Sequence, residues 1–304
     1  MVIPIRIARF RNTRFHLVRA RRTTGAWSMP SSETLQNVGM LSSIFSQQQG
    51  DNMSQRIMIL NPWGADYMDK AAEDVVAPYL NARTDLVCNS LGSDASPMPW
   101  PVQSSLELVV DKARKAQVAG FDAIVIGCCA DPFLADVRRA VSIPVVGLTE
   151  SFCVTAHNRG KVTLMIRGLA DAYLPLIPTQ NDWKNNWSAR ALGYGLRPDQ
   201  FSVRRVFVPG HPDPETLADL TARDQAKLRD LTVAAMNDAL HADGLEQTLA
   251  AAEADGAKAV YFACAFWGGP IRDLGEKAKA FGISVVNPLV SGVSYAEHLL
   301  LSRG

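Results

Sequence analysis

The chain has 304 residues, enough for two α/β domains of ordinary size. Its hydrophobic content of 47% and charged content of 20% are those of a globular protein, and no apolar run approaches the about 20 residues that a membrane span needs. Residues 1–52 carry seven arginines against Glu33 and Asp51, so the rest of the chain is mildly acidic despite the overall charge of +1. That charge distribution is not typical of a nucleic-acid-binding protein.

The five cysteines argue for a reducing, cytoplasmic compartment, since their odd number and unpaired spacing do not fit a disulfide framework. No Cys or His spacing matches a zinc site. No GxGxxG or P-loop motif is present, so the sequence indicates neither a metal nor a cofactor. The cysteines are Cys88, Cys128, Cys129, Cys153 and Cys264.

Residues 1–52 differ from the rest, being rich in Arg at the start and in Ser and Gln afterwards. A transit peptide and a basic arm for an acidic partner are both compatible with this composition. We favour a third interpretation, a misassigned start with Met53 as the true first residue, because a strand begins almost at once after it.

Strands and helices alternate from residue 56 onward, which predicts parallel sheets with right-handed crossovers. In the first half we expect strands at 56–60, 84–89, 123–126 and 144–147, and helices at 66–80, 104–119, 132–141 and 150–158. In the second half we expect strands at 161–166, 201–208, 259–263 and 283–286, and helices at 214–242 (in one or two pieces), 245–254, 271–281 and 291–301. Residues 168–200 give no clear prediction apart from an Asn-rich turn at 183–187. The second half repeats the first, which indicates an internal duplication.

One motif occurs in both halves: a buried strand, then a cysteine, then the start of a helix. It reads GFDAIVIGCCADP over 120–132 and GAKAVYFACAFWGGP over 256–270. Ligands bind at the carboxyl ends of such strands, and a helix N-terminus favours a thiolate. Cys128 or Cys129, together with Cys264, therefore forms two candidate half-sites facing one substrate, although a lone cysteine at a strand end is more often a small buried apolar residue.

The chain over 55–301 resembles the aspartate/glutamate/hydantoin racemase superfamily, closest to its hydantoin-racemase-like branch. The residues that carry the resemblance are Asn61-Pro62, the segment GCCADP with the following PVVGLTES, and the closing segment ISVVNPLVSGVSYAEHL. The resemblance implies two similar four-stranded α/β domains related by a pseudo-twofold axis, with the active site in the cleft between them. It implies domains at 53–150, joined by the closing segment 285–304, and at 151–284, and it suggests a homo-oligomer.

The resemblance also implies the chemistry: a cofactor-independent racemase or epimerase in which Cys128 and Cys264 exchange protons with a hydantoin-like or amino-acid-like carbon acid. A thiol suits this role because its pKa can be lowered toward neutrality. Cys129 corresponds to a non-catalytic family position, yet a one-residue error in register would make it the reactive thiol.

Several other residues are candidates for substrate binding because they lie on loops expected to line the pocket. Asn61, with backbone N–H groups, could stabilise the developing enolate. Arg167 could pair with a substrate carboxylate, or simply be solvated. The remaining candidates are Pro62, Trp63, Cys129, Ala265, Phe266 and His211.

The loops also depart from the family pattern. Trp63-Gly64-Ala65 stands where the family has Asn-Thr-Ser, aromatic residues follow Cys264, and Arg167-Gly168 replaces Thr-Thr. Two other activities of the superfamily therefore stay open, a maleate-type cis–trans isomerase and an arylmalonate-type decarboxylase. A non-catalytic protein that binds a small ligand is the alternative of another class.

Overall fold

The computed structural model describes residues 54–302 except 97, 99, 178–180 and 242. The segment 1–52, interpreted above as a leader or a misassigned start, lies outside the described residues. Among the described residues, no helix combines the length and apolar content needed to cross a bilayer.

The first half is a parallel sheet of four strands in the order β2-β1-β3-β4. Each strand is followed by a helix, as the alternating pattern predicts. The strands are β1 (Gln55–Leu60), β2 (Thr84–Asn89), β3 (Ala123–Ile126) and β4 (Val145–Gly147), and the helices are α1 (Asp69–Val76), α2 (Leu106–Val118), α3 (Leu134–Ala140) and α4 (Leu148–Ala156).

The second half has a parallel sheet with the equivalent order, β6-β5-β7-β8. Its strands are β5 (Val162–Gly168), β6 (Phe201–Phe207), β7 (Ala259–Phe262) and β8 (Ser284–Val286). Its helices are α5 (Trp183–Gly193), α6 (Pro214–Arg223), α7 (Gln225–His241), α8 (Asp243–Ala254), α9 (Leu274–Ala280) and α10 (Pro288–Leu301). The predicted fold class, two four-stranded parallel sheets flanked by helices, is confirmed.

The central strands β3 and β7 are buried along their whole length, as their continuous apolar sequences require. One apolar core joins the two halves, since it contains residues of both sheets together with Phe152 of α4 and Leu289 of α10. The strand β8 pairs with β7, whereas α10 packs against α4 and α1 of the first half. The domain boundaries given above stay a prediction.

The stretch 214–242 forms two helices, separated at Asp224, which is one of the two arrangements predicted. Two predicted elements differ from the structure. Helix α3 begins at Leu134, two residues later than predicted, because Asp131 and Phe133 adopt left-handed backbone conformations with φ of 45° and 60°. The predicted turn at 183–187 is wrong, because those residues form the first part of α5.

Candidate active site

The two sheets place Cys128 and Cys264 at equivalent positions. Each lies two residues beyond the last residue of its central strand, β3 or β7. Each cysteine carbonyl accepts a hydrogen bond from the N–H three residues later, that of Asp131 at 2.8 Å and that of Trp267 at 3.0 Å. The same turn therefore presents both thiols at the carboxyl ends of the sheets, where parallel α/β sheets bind ligands.

Both thiols line one cavity of about 160 Å³. Both are half-buried, so each is accessible from this space. The predicted residues Trp63, Cys129, Ala265, Phe266 and Arg167 line the same cavity. Its other lining residues are Trp100, Pro101, Ala130, Ile166, Leu176, Ile177, Trp187 and Ala263.

Cys128 is held as a neutral thiol. Burial raises the pKa of Cys128 to about 12, while a hydrogen bond from the backbone N–H of Ala130 acts in the opposite direction. The charge of Arg190 also lowers this pKa. The protein without a ligand thus keeps a proton on Cys128, as a proton donor requires.

Cys129 has a different environment from its neighbour. Its side chain is only 2% exposed, and its Sγ accepts a hydrogen bond from the Tyr261 hydroxyl at 3.4 Å. Burial, followed by the proximity of Cys264, raises the pKa of Cys129. Its counterpart in the second half is Ala265, which has no reactive atom, so the internal repeat pairs Cys264 with Cys128 and not with Cys129.

An aromatic group covers the Cys264 side of the cavity. Phe266 is buried, and its ring meets Trp63 edge-on at 5.9 Å between centroids and Tyr67 at 6.1 Å. The guanidinium carbon of Arg167 lies 5.6 Å from the centroid of the same ring. Such contacts fix the ring and give the cavity a rigid apolar wall.

Asn61 does not line this cavity. Its side chain is buried, and its Nδ2 donates to Asp69 Oδ1 at 2.6 Å and to Cys88 Sγ at 3.4 Å. It borders a neighbouring cavity of about 410 Å³, which shares Ala265 and Phe266 but contains neither Cys128 nor Cys264. Pro62 is buried and borders neither cavity.

His211 is also outside the cavity lining. Its Nδ1 lies 3.1 Å from the Tyr173 hydroxyl and 3.0 Å from the Pro212 carbonyl oxygen. Burial, followed by the charge of Arg167, lowers the pKa of His211 to about 3. The imidazole ring is therefore neutral, and it packs edge-on against Tyr173.

Two aromatic residues that line the cavity were not predicted from the sequence. Trp187 comes from α5, and Trp100 from the loop after β2. Arg190, also on α5, donates from Nη1 to the carbonyl oxygen of Ala130, next to the catalytic candidate Cys128. The sequence signal for the α5 residues was the presence of Trp183, Trp187 and Arg190 in the stretch 168–200, for which no element was predicted.

The chain is similar to known racemases. The family model described as Asp/Glu/Hydantoin racemase matches residues 57–175. A hydantoin racemase from Pseudomonas sp. (strain NS671) is 25% identical over 248 residues, which are 81% of this chain and 86% of that protein. The resemblance to the Asp/Glu/hydantoin racemase family is confirmed.

The fold of this family is seen in a solved structure. The allantoin racemase from Klebsiella pneumoniae superimposes with a TM-score of 0.57 at 16% sequence identity, covering 82% of this chain and 89% of that one. The likeness establishes the two-sheet fold. The family match supports a racemase-type enzyme. The homo-oligomeric state and the cytoplasmic location stay predictions.

Proposed function

We propose that the protein is a cofactor-independent racemase or epimerase that uses Cys128 and Cys264 as an acid/base pair on a carbon acid. The observation that supports this most strongly is the placement of two equivalent thiols on one cavity. Inversion of a stereocentre next to a carbonyl needs proton removal on one side and proton delivery on the other, which two thiols can supply.

The reaction is a proton transfer in two steps. The Cys264 thiolate takes the α-proton, so the C–H bond breaks, an S–H bond forms and the electron pair moves onto the carbonyl oxygen as an enolate. Cys128 then gives its proton to the opposite face of the α-carbon and becomes the thiolate. The reverse direction begins from that second protonation state and exchanges the two roles, so no co-reactant is needed.

The apolar lining gives some support to a second candidate, an arylmalonate-type decarboxylase. Seven lining residues are large and apolar, namely Trp63, Trp100, Ile166, Leu176, Ile177, Trp187 and Phe266. A decarboxylase that protonates one face needs a single thiol, whereas this cavity has two matched ones. The racemase therefore accounts for more of the site.

The experiment is α-proton exchange followed by NMR in D₂O, with pure enantiomers of 5-substituted hydantoins and amino acids, and with maleate and arylmalonates. Cys128→Ser and Cys264→Ser should each slow racemisation by roughly 10² to 10⁴-fold, the usual contribution of a general acid or base. Cys129→Ser is the matched control, because it removes the adjacent thiol, and should keep activity within a few-fold.

Each other outcome would overturn the proposal in a defined way. Deuterium incorporated only during loss of CO₂, with Cys128→Ser still active, would establish the decarboxylase. Loss of activity in Cys129→Ser but not in Cys128→Ser would contradict the assignment of the acid/base pair. Absence of exchange on the whole panel would favour the ligand-binding protein.

A further inference from the structure

Arg167 is a half-buried cation with one buried nitrogen, Nη1, that is unpaired among the described residues. The residue lies on β5, next to the central strand β7. Buried polar groups are normally paired, so an unpaired guanidinium nitrogen on a cavity is suited to bind an anion.

The groups around Arg167 do not compensate its charge. Burial raises the pKa of Tyr67 to about 12 and also raises the pKa of Tyr173, so both phenols are neutral at physiological pH. His211 is neutral as well, for the reason given above. Phe266 covers one side of the guanidinium with its ring. The neighbours therefore leave the full positive charge in a region of low polarity.

The cavity itself contains no acidic side chain among its described lining residues, and Arg167 is the charged residue of that lining. Arg167 and both thiols line the same cavity. Met165 is the last residue of β5 that pairs with β7, opposite Phe262, and Arg167 and Cys264 each lie two residues further along the chain. Arg167 is therefore at the same end of the sheet as Cys264.

We propose that Arg167 binds a carboxylate of the substrate, and that the protein acts on small carbon acids bearing a carboxylate at the stereocentre in preference to neutral cyclic ureides. This rests on the proposed function. A guanidinium can bind a carboxylate through two parallel hydrogen bonds. The mostly apolar lining suits a compact anion with an apolar substituent.

The same contact would assist the chemistry. Removal of the α-proton from a carboxylate moves a second negative charge onto the carboxylate oxygens. A fixed cation beside those oxygens stabilises the charge as it develops and needs no reorganisation. Arg167 thus serves binding in the ground state and stabilisation of the enolate afterwards.

The first test measures binding alone, on the double variant Cys128→Ser/Cys264→Ser, so its result does not depend on catalysis. Calorimetry would compare phenylacetate with phenylacetamide, which have nearly the same shape but differ in charge. We expect the carboxylate to bind about tenfold more tightly or better, since it gains a charge-assisted hydrogen-bonded pair. Arg167→Met should abolish that preference, and Arg167→Lys should retain part of it.

Arg205→Gln is the matched control, because Arg205 is a half-buried arginine on the neighbouring strand β6 that donates to the Leu169 carbonyl and does not line the cavity. It should leave the preference unchanged. Equal binding of the two ligands, or a preference that survives Arg167→Met, would overturn the proposal. Circular dichroism and thermal melting identify any variant that has lost its fold, in which case Arg167→Lys decides.

The second test uses the wild-type thiols and the substrate panel described above. Arg167→Met should lower kcat/KM for carboxylates by roughly 10²-fold or more, as loss of a preorganised charge does, and should lower any turnover of neutral hydantoins far less. Exchange on neutral hydantoins only, unaffected by Arg167→Met, would overturn the carboxylate site while the racemase stands. Arg167-dependent carboxylate binding without proton exchange would overturn the racemase while the anion site stands.

Discussion

The ends of the two sheets share their cysteine turns but differ in the polar residue at the end of the adjacent strand. In the first half that residue is Asn61, whose amide is bonded to Asp69 and Cys88. In the second half it is Arg167, whose Nη1 has no partner among the described residues. A polar group with its partners complete stabilises the fold, whereas one with partners missing is available to a ligand.

The difference has a consequence for the proposed reaction. Proton transfer to either face needs two similar groups, and the duplicated turn supplies them. Orientation of the substrate needs an anchor on one side only, and the unpaired arginine supplies it. A duplicated fold can therefore hold a symmetric acid/base pair and an asymmetric binding group in one cavity.

The largest predicted effect on stability comes from a substitution three positions after one of the two cysteines. The residue at that position is Asp131 in the first half and Trp267 in the second, and both are buried. Asp131 accepts hydrogen bonds from the backbone N–H groups of Thr149 at 3.2 Å and Glu150 at 2.9 Å, in the first turn of α4. Burial nevertheless raises the pKa of Asp131 from 3.8 to about 6.

A raised pKa of an acid means that folding opposes its ionisation. The protonated Asp131 carboxyl contributes on the order of 3 kcal/mol to the free energy of unfolding. This contribution is fully present below pH 4 and is lost as the pH rises to 6. Asp131→Asn cannot ionise, so its free energy of unfolding should increase relative to wild type over this window. Chemical denaturation of both proteins at pH 4, 5, 6 and 7 measures the difference, and a difference that does not change with pH would contradict the assignment.

The residue immediately before each cysteine gives the next largest effect. It is Gly127 in the first half and Ala263 in the second. A Cβ at position 127 would lie 2.1 Å from Asn61 Oδ1 and 3.0 Å from Ile59 Cγ2, so Gly127→Ala would displace the Asn61 side chain. We expect a loss of about 1 to 3 kcal/mol in the free energy of unfolding, the usual cost of overpacking.

A double-mutant cycle tests the cause of that loss. Asn61→Ala removes the side chain that the new methyl group meets, so the combined variant should lose less stability than the sum of the single variants. Urea denaturation gives all four values. Additive losses would show that the close approach of Asn61 is not what requires glycine at position 127.

The central strands and their thiols were predictable because their signals are local. Short apolar runs closed by a small residue define β3 and β7, and the repeat aligns Cys128 with Cys264. Helix α5 was missed because its apolar stripe is narrow. Its buried residues are only Trp187 and Ala191, four residues apart, and the neighbouring Asn185 and Asn186 are typical of a turn.

Two residues were wrongly expected to line the cavity because their contacts are with residues distant in sequence. Asn61 donates to Cys88, and His211 lies beside the Tyr173 hydroxyl. No local sequence pattern reveals such contacts.

The smallest predicted effect concerns the contact of α5 with the Cys128 turn, for which Cys264 provides an internal reference. Arg190 donates to the carbonyl of Ala130, and its guanidinium carbon lies 5.4 Å from the Trp187 ring centroid. The N–H of Ala130 and the charge of Arg190 both lower the pKa of Cys128. Arg190→Gln should therefore raise this pKa further and reduce the thiolate fraction.

Because the pKa of Cys128 is about 12, its alkylation rate between pH 7 and 10 is proportional to the thiolate fraction and rises about tenfold per pH unit. A higher pKa then slows the rate by a constant factor, which we expect to be roughly three- to tenfold for the loss of one partly screened charge. Iodoacetamide labelling read by mass spectrometry reports Cys128 and Cys264 in the same sample. Arg139→Gln, which removes an exposed arginine paired with Asp136 on α3, should leave both rates unchanged. An equal change at both cysteines in Arg190→Gln would mean that Arg190 acts through the shape of the whole cavity, whereas a selective change at Cys128 would establish it as a positioning residue for one half of the pair.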